Sequence, residues 1–245
     1  LTGVDAVYQP MPVRPTVHYS MGGIPVNTKG QVRRSPDSLV DGFYAAGECA
    51  CVSVHGANRL GSNSLLECVV YGKLTGAAIA QDVQTAKLPE IDEQRYLNEA
   101  RSQMQELLDR SGQYRINQVR QAMQDCMTEY CGVFRTEALM RQGLAKLGEL
   151  QQQAQQIYLD DKGSLWNTEL VEALELRSLI GVAPAILTSA LNRQESRGAH
   201  FREDYPDRDD PNFLSHTLAY TSPEGIDLVQ MPVVINRFEP QERKY

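Results

Sequence analysis

The sequence has no apolar run approaching the roughly 18 residues that cross a bilayer. Any link to a membrane is therefore expected to run through another subunit. It has no Lys/Arg cluster longer than Arg33-Arg34 and carries a net charge of −7, so the electrostatic footprint of a nucleic-acid binder is missing. Internal repeats and low-complexity tracts are absent, apart from the mild polar run Gln151-Gln152-Gln153. Cysteine is sparse and odd in number: Cys49, Cys51, Cys68, Cys126 and Cys131 fit no disulfide framework and point to a reducing, intracellular setting. Cys49 and Cys51 form a Cys-x-Cys pair, but no second pair stands at ligand spacing, so packing is expected there rather than metal. An initiator Met and the charged start of a signal peptide are also missing. The chain opens at Leu1 in what reads as the middle of a fold, and a fragment is expected.

What is present is enough for one large domain or two small ones: 245 residues, 42% of them hydrophobic. Three zones follow one another. Residues 1–85 are rich in Gly, Val and Ala and read as strands, turns and one helix. Asn27-Thr28-Lys29-Gly30 predicts a hairpin between Ile24–Val26 and Gln31–Arg33. Gly42–Ala46 reads as a short buried strand ending at Gly47-Glu48. Residues 64–81 read as a helix with Leu65, Leu66, Val69, Val70 and Leu74 on its apolar side.

Residues 86–194 carry four apolar stripes at helical spacing: Leu97 to Leu108, Ile116 to Tyr130, Met140 to Ile157, and a fourth that begins near Glu169 with Leu170, Val171, Leu174 and Ile180. These stripes predict antiparallel helices packed as a bundle. Pro184 falls inside the fourth and is expected to kink it or start a new helix. Residues 195–245 are polar and turn-rich; His216–Tyr220 and Ile226–Val234 alternate like strands around Ser222-Pro223-Glu224-Gly225, so a second hairpin is expected.

The chemistry concentrates in a few places. In His55-Gly56-Ala57-Asn58-Arg59-Leu60-Gly61-Ser62-Asn63-Ser64-Leu65-Leu66-Glu67, turn-forming residues run into a helix start, with Ser62, Asn63 and Ser64 as N-cap candidates. Free N–H groups and partial positive charge at such an end can hold an electron-rich ligand, and Ser64 and Leu65 are placed to do so. An ordinary capped helix is the alternative. Arg59 can grip a carboxylate through two hydrogen bonds, or can be a structural arginine. His18, beside Gly22-Gly23, can donate to an anionic substrate or serve as a turn histidine. Glu48, at a strand's end, suits a ribose or ribityl hydroxyl, or faces solvent.

Together these segments resemble one family. Thr16-Val17-His18-Tyr19-Ser20-Met21-Gly22-Gly23 resembles the TxHYxMGG segment of succinate dehydrogenase and fumarate reductase flavoproteins. Tyr44-Ala45-Ala46-Gly47-Glu48 resembles their YAAGE strand end, and His55 to Leu65 their HGANRLGxNSL loop. Glu195-Ser196-Arg197-Gly198-Ala199-His200, followed by Asp207-Arg208-Asp209-Asp210, resembles their C-terminal signature. The match runs along essentially the whole chain, in the family's order.

The resemblance implies an α/β flavin-domain remnant of strands, a hairpin and one helix, then a mainly α-helical bundle, then a short β-hairpin tail. The corresponding domains are 1–85 for the C-terminal part of an FAD-binding domain, 86–194 for the bundle and 195–245 for the C-terminal segment. It implies FAD as cofactor, contacted by Glu48, Arg59, Asn63, Ser64 and Leu65, and succinate or fumarate held by His18 and Arg59. It further implies hydride exchange at flavin N5, electron transfer to an iron–sulfur subunit, and docking on a membrane anchor at the cytoplasmic face of the inner membrane. No Gly-x-Gly-x-x-Gly occurs here for the FAD pyrophosphate. The family's flavin-linking His, capping domain and proton-transferring Arg would lie upstream of Leu1, so this chain alone is expected to bind FAD weakly or not at all and not to turn over. Glu195–His200 is expected to be structural, tying the bundle to the flavin domain. The alternatives are an L-aspartate oxidase, whose loop also resembles Asn63 to Cys68, and a non-catalytic helical interaction unit.

Overall fold

A computed structural model describes residues 3–5, 7–12, 18–87 and 89–241. Thr16 and Val17, the first residues of the TxHYxMGG resemblance, lie outside the described residues. The chain divides into two compact units, Leu1–Ala86 and Lys87–Tyr245.

The first unit contains β1 (Ile24–Pro25), β2 (Gln31–Ser35), β3 (Ser38–Tyr44), β4 (Ala50–Cys51) and α1 (Asn63–Asp82). β1 pairs with β4 in parallel, and β2 pairs with β3 antiparallel. A small core of Val26, Val32, Ala45 and Ala50 holds them together. The expected first hairpin is present only as a turn. The Asn27 carboxamide oxygen accepts from the N–H groups of Lys29 and Gln31 and tightens the bend. Only the single bridge Val26–Val32 crosses it, because β2 turns at Pro36-Asp37 and takes β3 as its partner. The expected buried strand Gly42–Ala46 buries Ala45 alone; Gly42 and Phe43 are exposed and Tyr44 and Ala46 half-buried, since a two-stranded sheet has little to cover them.

The helix expected over 64–81 is α1, but its burial is inverted. Leu65, Leu66, Val69, Val70 and Leu74 are exposed, whereas Glu67 and Thr75 are buried. The strands of this unit meet the polar side of α1, and Tyr44 and Gln31 both hydrogen-bond Asp82 at its far end.

The second unit contains α2 (Glu93–Asp109), β5 (Tyr114–Arg115), α3 (Ile116–Tyr130), α4 (Glu137–Ala154), β6 (Ile157–Tyr158), α5 (Thr168–Asn192), α6 (Asp210–Phe213), β7 (Ser215–Ser222) and β8 (Gly225–Pro232). Side-chain caps explain where helices begin: Asp92, Thr136 and Asn167 accept from the N–H groups of Arg95, Leu139 and Leu170. α5 is the centre of the unit. Leu170, Ala173, Leu176, Ile180, Ala183, Leu187 and Ala190, at 3–4 spacing, are all buried. They pack with Val119, Met123 and Cys126 of α3 and Met140, Leu147 and Leu150 of α4. The three helices approach closely at Gly143, where a Cβ would stand 2.6 Å from Tyr130 Cβ and 2.8 Å from Leu187 Cδ2. β7 and β8 pair along their whole length, from Ser215–Pro232 to Ser222–Gly225.

Pro184 neither breaks α5 nor starts a new helix; Thr168–Asn192 is one helix through it. A proline at 184 cannot donate to the carbonyl four residues back, Ile180. The Gln151 side chain of α4 donates to that oxygen at 3.3 Å. A residue of the polar glutamine run thus replaces the hydrogen bond that proline removes.

The end of α5 is closed by charge. Arg202 is 0% exposed, pairs with both oxygens of Asp204 at 2.7 Å, and donates to the carbonyls of Ala190, Leu191 and Arg193. Those carbonyls are the unpaired last acceptors of the helix. Glu195, also 0% exposed, accepts from Arg193 at 2.5 Å, from Arg197 at 2.8 and 2.9 Å, and from the Asp209 N–H at 2.8 Å. Burial alone would raise its pKa, but Arg197, the Asp209 N–H and Arg193 together hold it below the ordinary value. Arg193 reaches on to the carbonyls of Phe213 and Ser215, and the Asp204 carboxylate accepts from the Glu137 N–H. Among the described residues these bonds join the ends of α4 and α5 to the tail, all inside the second unit.

His200 belongs to the same cluster. Arg135 can only donate, so Nδ1 of His200 accepts at 2.9 Å and the proton sits on Nε2, which donates to the Arg193 carbonyl at 3.1 Å. Burial first, then the cations of Arg135, Arg202 and Arg193, lower its pKa from 6.5 to about 4.

Two outcomes follow. Gln151→Ala should cost about 1 kcal/mol in denaturant unfolding, the worth of one hydrogen bond, and clearly less when Pro184 is also Ala, because an N–H at 184 can then serve Ile180. Because His200 is neutral in the fold and protonated when unfolded, stability should fall as pH drops from 6.5 towards 4. It should fall again at lower pH as Asp204, held at about 2, is protonated. The slope of the unfolding midpoint against pH should differ between the parent and His200→Gln in the first window only.

Candidate active site

Three segments that are distant in sequence meet at α1. Gly23 makes the first approach possible. Its φ is 106°, and a Cβ there would stand 2.5 Å from the Cys49 carbonyl oxygen. That oxygen accepts from the Ile24 N–H at 2.8 Å, so the segment 18–23 leading into β1 runs against the turn at 47–49. The Ser20 N–H then donates to Glu48 Oε1 at 3.1 Å.

The second approach is made by side chains. Glu67, on the buried side of α1, is 5% exposed. Its Oε2 accepts from the Tyr19 hydroxyl and lies 2.6 Å from His55 Nε2. The rings of Tyr19 and His55 pack edge to face with centroids 5.4 Å apart. The Arg59 guanidinium lies over the Tyr19 ring, 5.0 Å from its centroid, and donates to the Leu60 carbonyl at 3.1 Å. Burial first, and then the bond to Glu67, raise the Tyr19 pKa well above the ordinary phenol value, so the hydroxyl stays a donor. His55 Nδ1 and Arg59 Nε are buried without a partner among the described residues.

α1 itself starts openly. Ser62 holds the N-cap position with φ 67° and makes no side-chain hydrogen bond to the helix. Ser62, one of the three expected candidates, is thus the N-cap residue, but a left-handed Ser62 leaves the following amides without a side-chain acceptor. The N–H groups of Ser64 and Leu65, at the second and third helical positions, have no acceptor within the helix.

The sequence-predicted residues are distributed as follows. Arg59 is half-buried over Tyr19. Glu48 is exposed and tied to Ser20. Asn63, Ser64 and Leu65 form the open first turn of α1, with the Asn63 N–H donating to the Leu60 carbonyl. His18 is exposed, and no hydrogen bond or ring contact joins its side chain to Arg59 among the described residues; its neighbour Tyr19 makes that contact. Tyr19, His55 and Glu67 were given no role by sequence reasoning. One signal was available: Glu67 is the only charged residue between Arg59 and Lys73. No helix among the described residues is long and apolar enough to cross a membrane.

The family model described as "Fumarate reductase flavoprotein C-term" matches residues 120–245, and that described as "FAD binding domain" matches residues 2–65. The succinate dehydrogenase flavoprotein subunit of Rickettsia conorii is 42% identical over 227 residues, covering 91% of this chain and 38% of the relative. The fumarate reductase flavoprotein subunit of Proteus vulgaris is 41% identical over 249 residues, covering 99% and 40%. The structure of an E. coli quinol fumarate reductase flavoprotein variant superposes with a TM-score of 0.87 at 38% identity, covering 98% of this chain and 41% of that one. At 21% identity and a TM-score of 0.61, adenylylsulfate reductase of Archaeoglobus fulgidus shares the fold over 80% of this chain and 32% of its own. The chain thus spans about two fifths of the length of the curated relatives it matches. With more than half of its residues matched by the C-terminal family and its site motifs gathered at one helix end, this chain belongs to the succinate dehydrogenase/fumarate reductase flavoprotein family.

Proposed function

We propose that this chain carries the dicarboxylate-binding side chains and one edge of the flavin site of an enzyme that interconverts succinate and fumarate. In this reading electrons pass through an iron–sulfur subunit to or from quinone. Anchor subunits hold the assembly at the cytoplasmic face of the membrane. One observation carries the reading: Arg59, the Tyr19 beside His18, Glu48 and the open end of α1 are brought together by contacts between segments up to 48 residues apart.

The residues suit FAD. The uncapped first turn of α1 offers the N–H groups of Ser64 and Leu65 to an electron-rich ring edge, with Asn63 alongside. Glu48 uses Oε1 for Ser20 and keeps Oε2 for a hydroxyl donor. FAD, when bound, supplies the hydride chemistry. The chain's own side chains bind and orient the substrate. Arg59 has no carboxylate partner among the described residues, so its charge and its N–H fork serve an anionic ligand, with the exposed His18 as a second donor. Holding both carboxylates fixes the carbon–carbon bond that reacts. The exposed Leu65, Leu66, Val69, Val70 and Leu74 are read as surface that the remainder of the subunit covers. Without a glycine-rich pyrophosphate loop, this chain alone should hold FAD weakly.

Two outcomes test this. In the complete enzyme, Arg59→Lys should keep its flavin and lower fumarate or succinate turnover about tenfold or more, because an ammonium cannot reproduce the bidentate fork. Near-normal turnover would remove the role given to Arg59. In the same assays the parent should act on succinate with a quinone; activity on aspartate with oxygen would instead favour the L-aspartate oxidase reading.

A further inference from the structure

We propose that Glu67 is a positioning residue for the substrate site, fixing Tyr19 and His55 from inside α1 and, through the Tyr19 ring, setting where the Arg59 guanidinium stands. The proposal rests on the reading of Arg59 as a carboxylate-binding residue.

Glu67 is out of place as an ordinary helix residue. Its side chain is 3% exposed, on a helix whose leucines and valines face outward. A buried carboxylate is costly unless it is hydrogen-bonded. No lysine or arginine pairs with it among the described residues. Both of its donors, Tyr19 and His55, come from segments outside α1 and converge on one oxygen, Oε2. The two rings lock each other edge to face. Tyr19 can therefore neither rotate nor slide without breaking the bond to Glu67 or the contact with His55.

Arg59 is held by what that lock presents. Its guanidinium lies on the Tyr19 ring face and makes one side-chain hydrogen bond, to the Leu60 carbonyl. The chemical consequence is specific. A carboxylate paired directly with Arg59 would neutralise it and compete with a dicarboxylate for the same N–H groups. With a tyrosine interposed, the negative charge of Glu67 orients the phenol and the phenol's π face orients the cation. The N–H fork stays available to a ligand. Buried Nε of Arg59 and Nδ1 of His55, unpaired among the described residues, add polar capacity to the same cluster.

The test uses the holoenzyme and two readouts: the dissociation constant of malonate by calorimetry and KM against kcat for fumarate. Glu67→Gln and Tyr19→Phe should each weaken malonate and raise KM about tenfold, the scale of one lost charge-assisted hydrogen bond, with flavin content retained. Tyr19→Phe keeps the ring and leaves Glu67 its His55 partner, so it carries the test even where Glu67→Gln fails to fold. Combined with Arg59→Lys, either substitution should add little, since both act through the same cation. Wild-type malonate affinity in Tyr19→Phe and Glu67→Gln beside a weakened Arg59→Lys would overturn this proposal alone, as would full additivity in the double variants. Wild-type affinity in Arg59→Lys itself would fell the underlying reading of the site and this proposal together.

Discussion

A carboxylate buried on a helix dictates the arrangement of the first unit. Glu67 cannot reach water, and its oxygens must find donors within the fold. The donors it finds are a phenol 48 residues earlier and an imidazole 12 residues earlier. That requirement draws the segment carrying His18 and the loop carrying Arg59 onto one side of α1. The Ser20–Glu48 bond and the close approach at Gly23 draw in the third segment. The cluster of Tyr19, His55 and Arg59 is a consequence of satisfying one buried carboxylate.

The same constraint explains why α1 is turned over. Its small strands contribute too little apolar surface to cover five large side chains, while its polar side carries residues that bond across the unit at both ends, Glu67 near the start and Asp82 at the finish. An apolar stripe left outward on a helix of this length is surface awaiting a partner. It fits a chain that spans about two fifths of its relatives.

The second unit is organised by different means. A long central helix buries a continuous apolar face and then has two defects in its backbone hydrogen bonding, one at Pro184 and one at its end. Both are repaired by side chains from elsewhere in the unit. Gln151 supplies the donor that Pro184 lacks, and Arg202 covers the last carbonyls. Arg202 is tolerated at full burial because Asp204 neutralises it bidentately and Asp204 in turn receives the start of α4. Glu195 does the same for Arg193 and Arg197. The charged signature after α5 therefore fastens the tail to the bundle ends.

By itself the sequence determined the elements whose signal is local. The apolar spacing of α3, α4 and α5, the turn at Pro223-Glu224 and the start of α1 after Gly61 are set by side-chain periodicity and turn chemistry within a few residues. Motif order along the chain also placed it in its family and named Arg59, His18, Glu48, Asn63, Ser64 and Leu65. What only the tertiary structure decided is everything that depends on a distant partner. Strand partners for β1 and β2, the outward turn of the apolar side of α1, the survival of a helix through Pro184 and the meeting of Tyr19, His55 and Glu67 each rest on a contact across the fold. A lone glutamate among leucines and valines reads locally as a solvent-facing charge. Whether it faces water or a tyrosine is settled by which side of the helix the rest of the chain can reach.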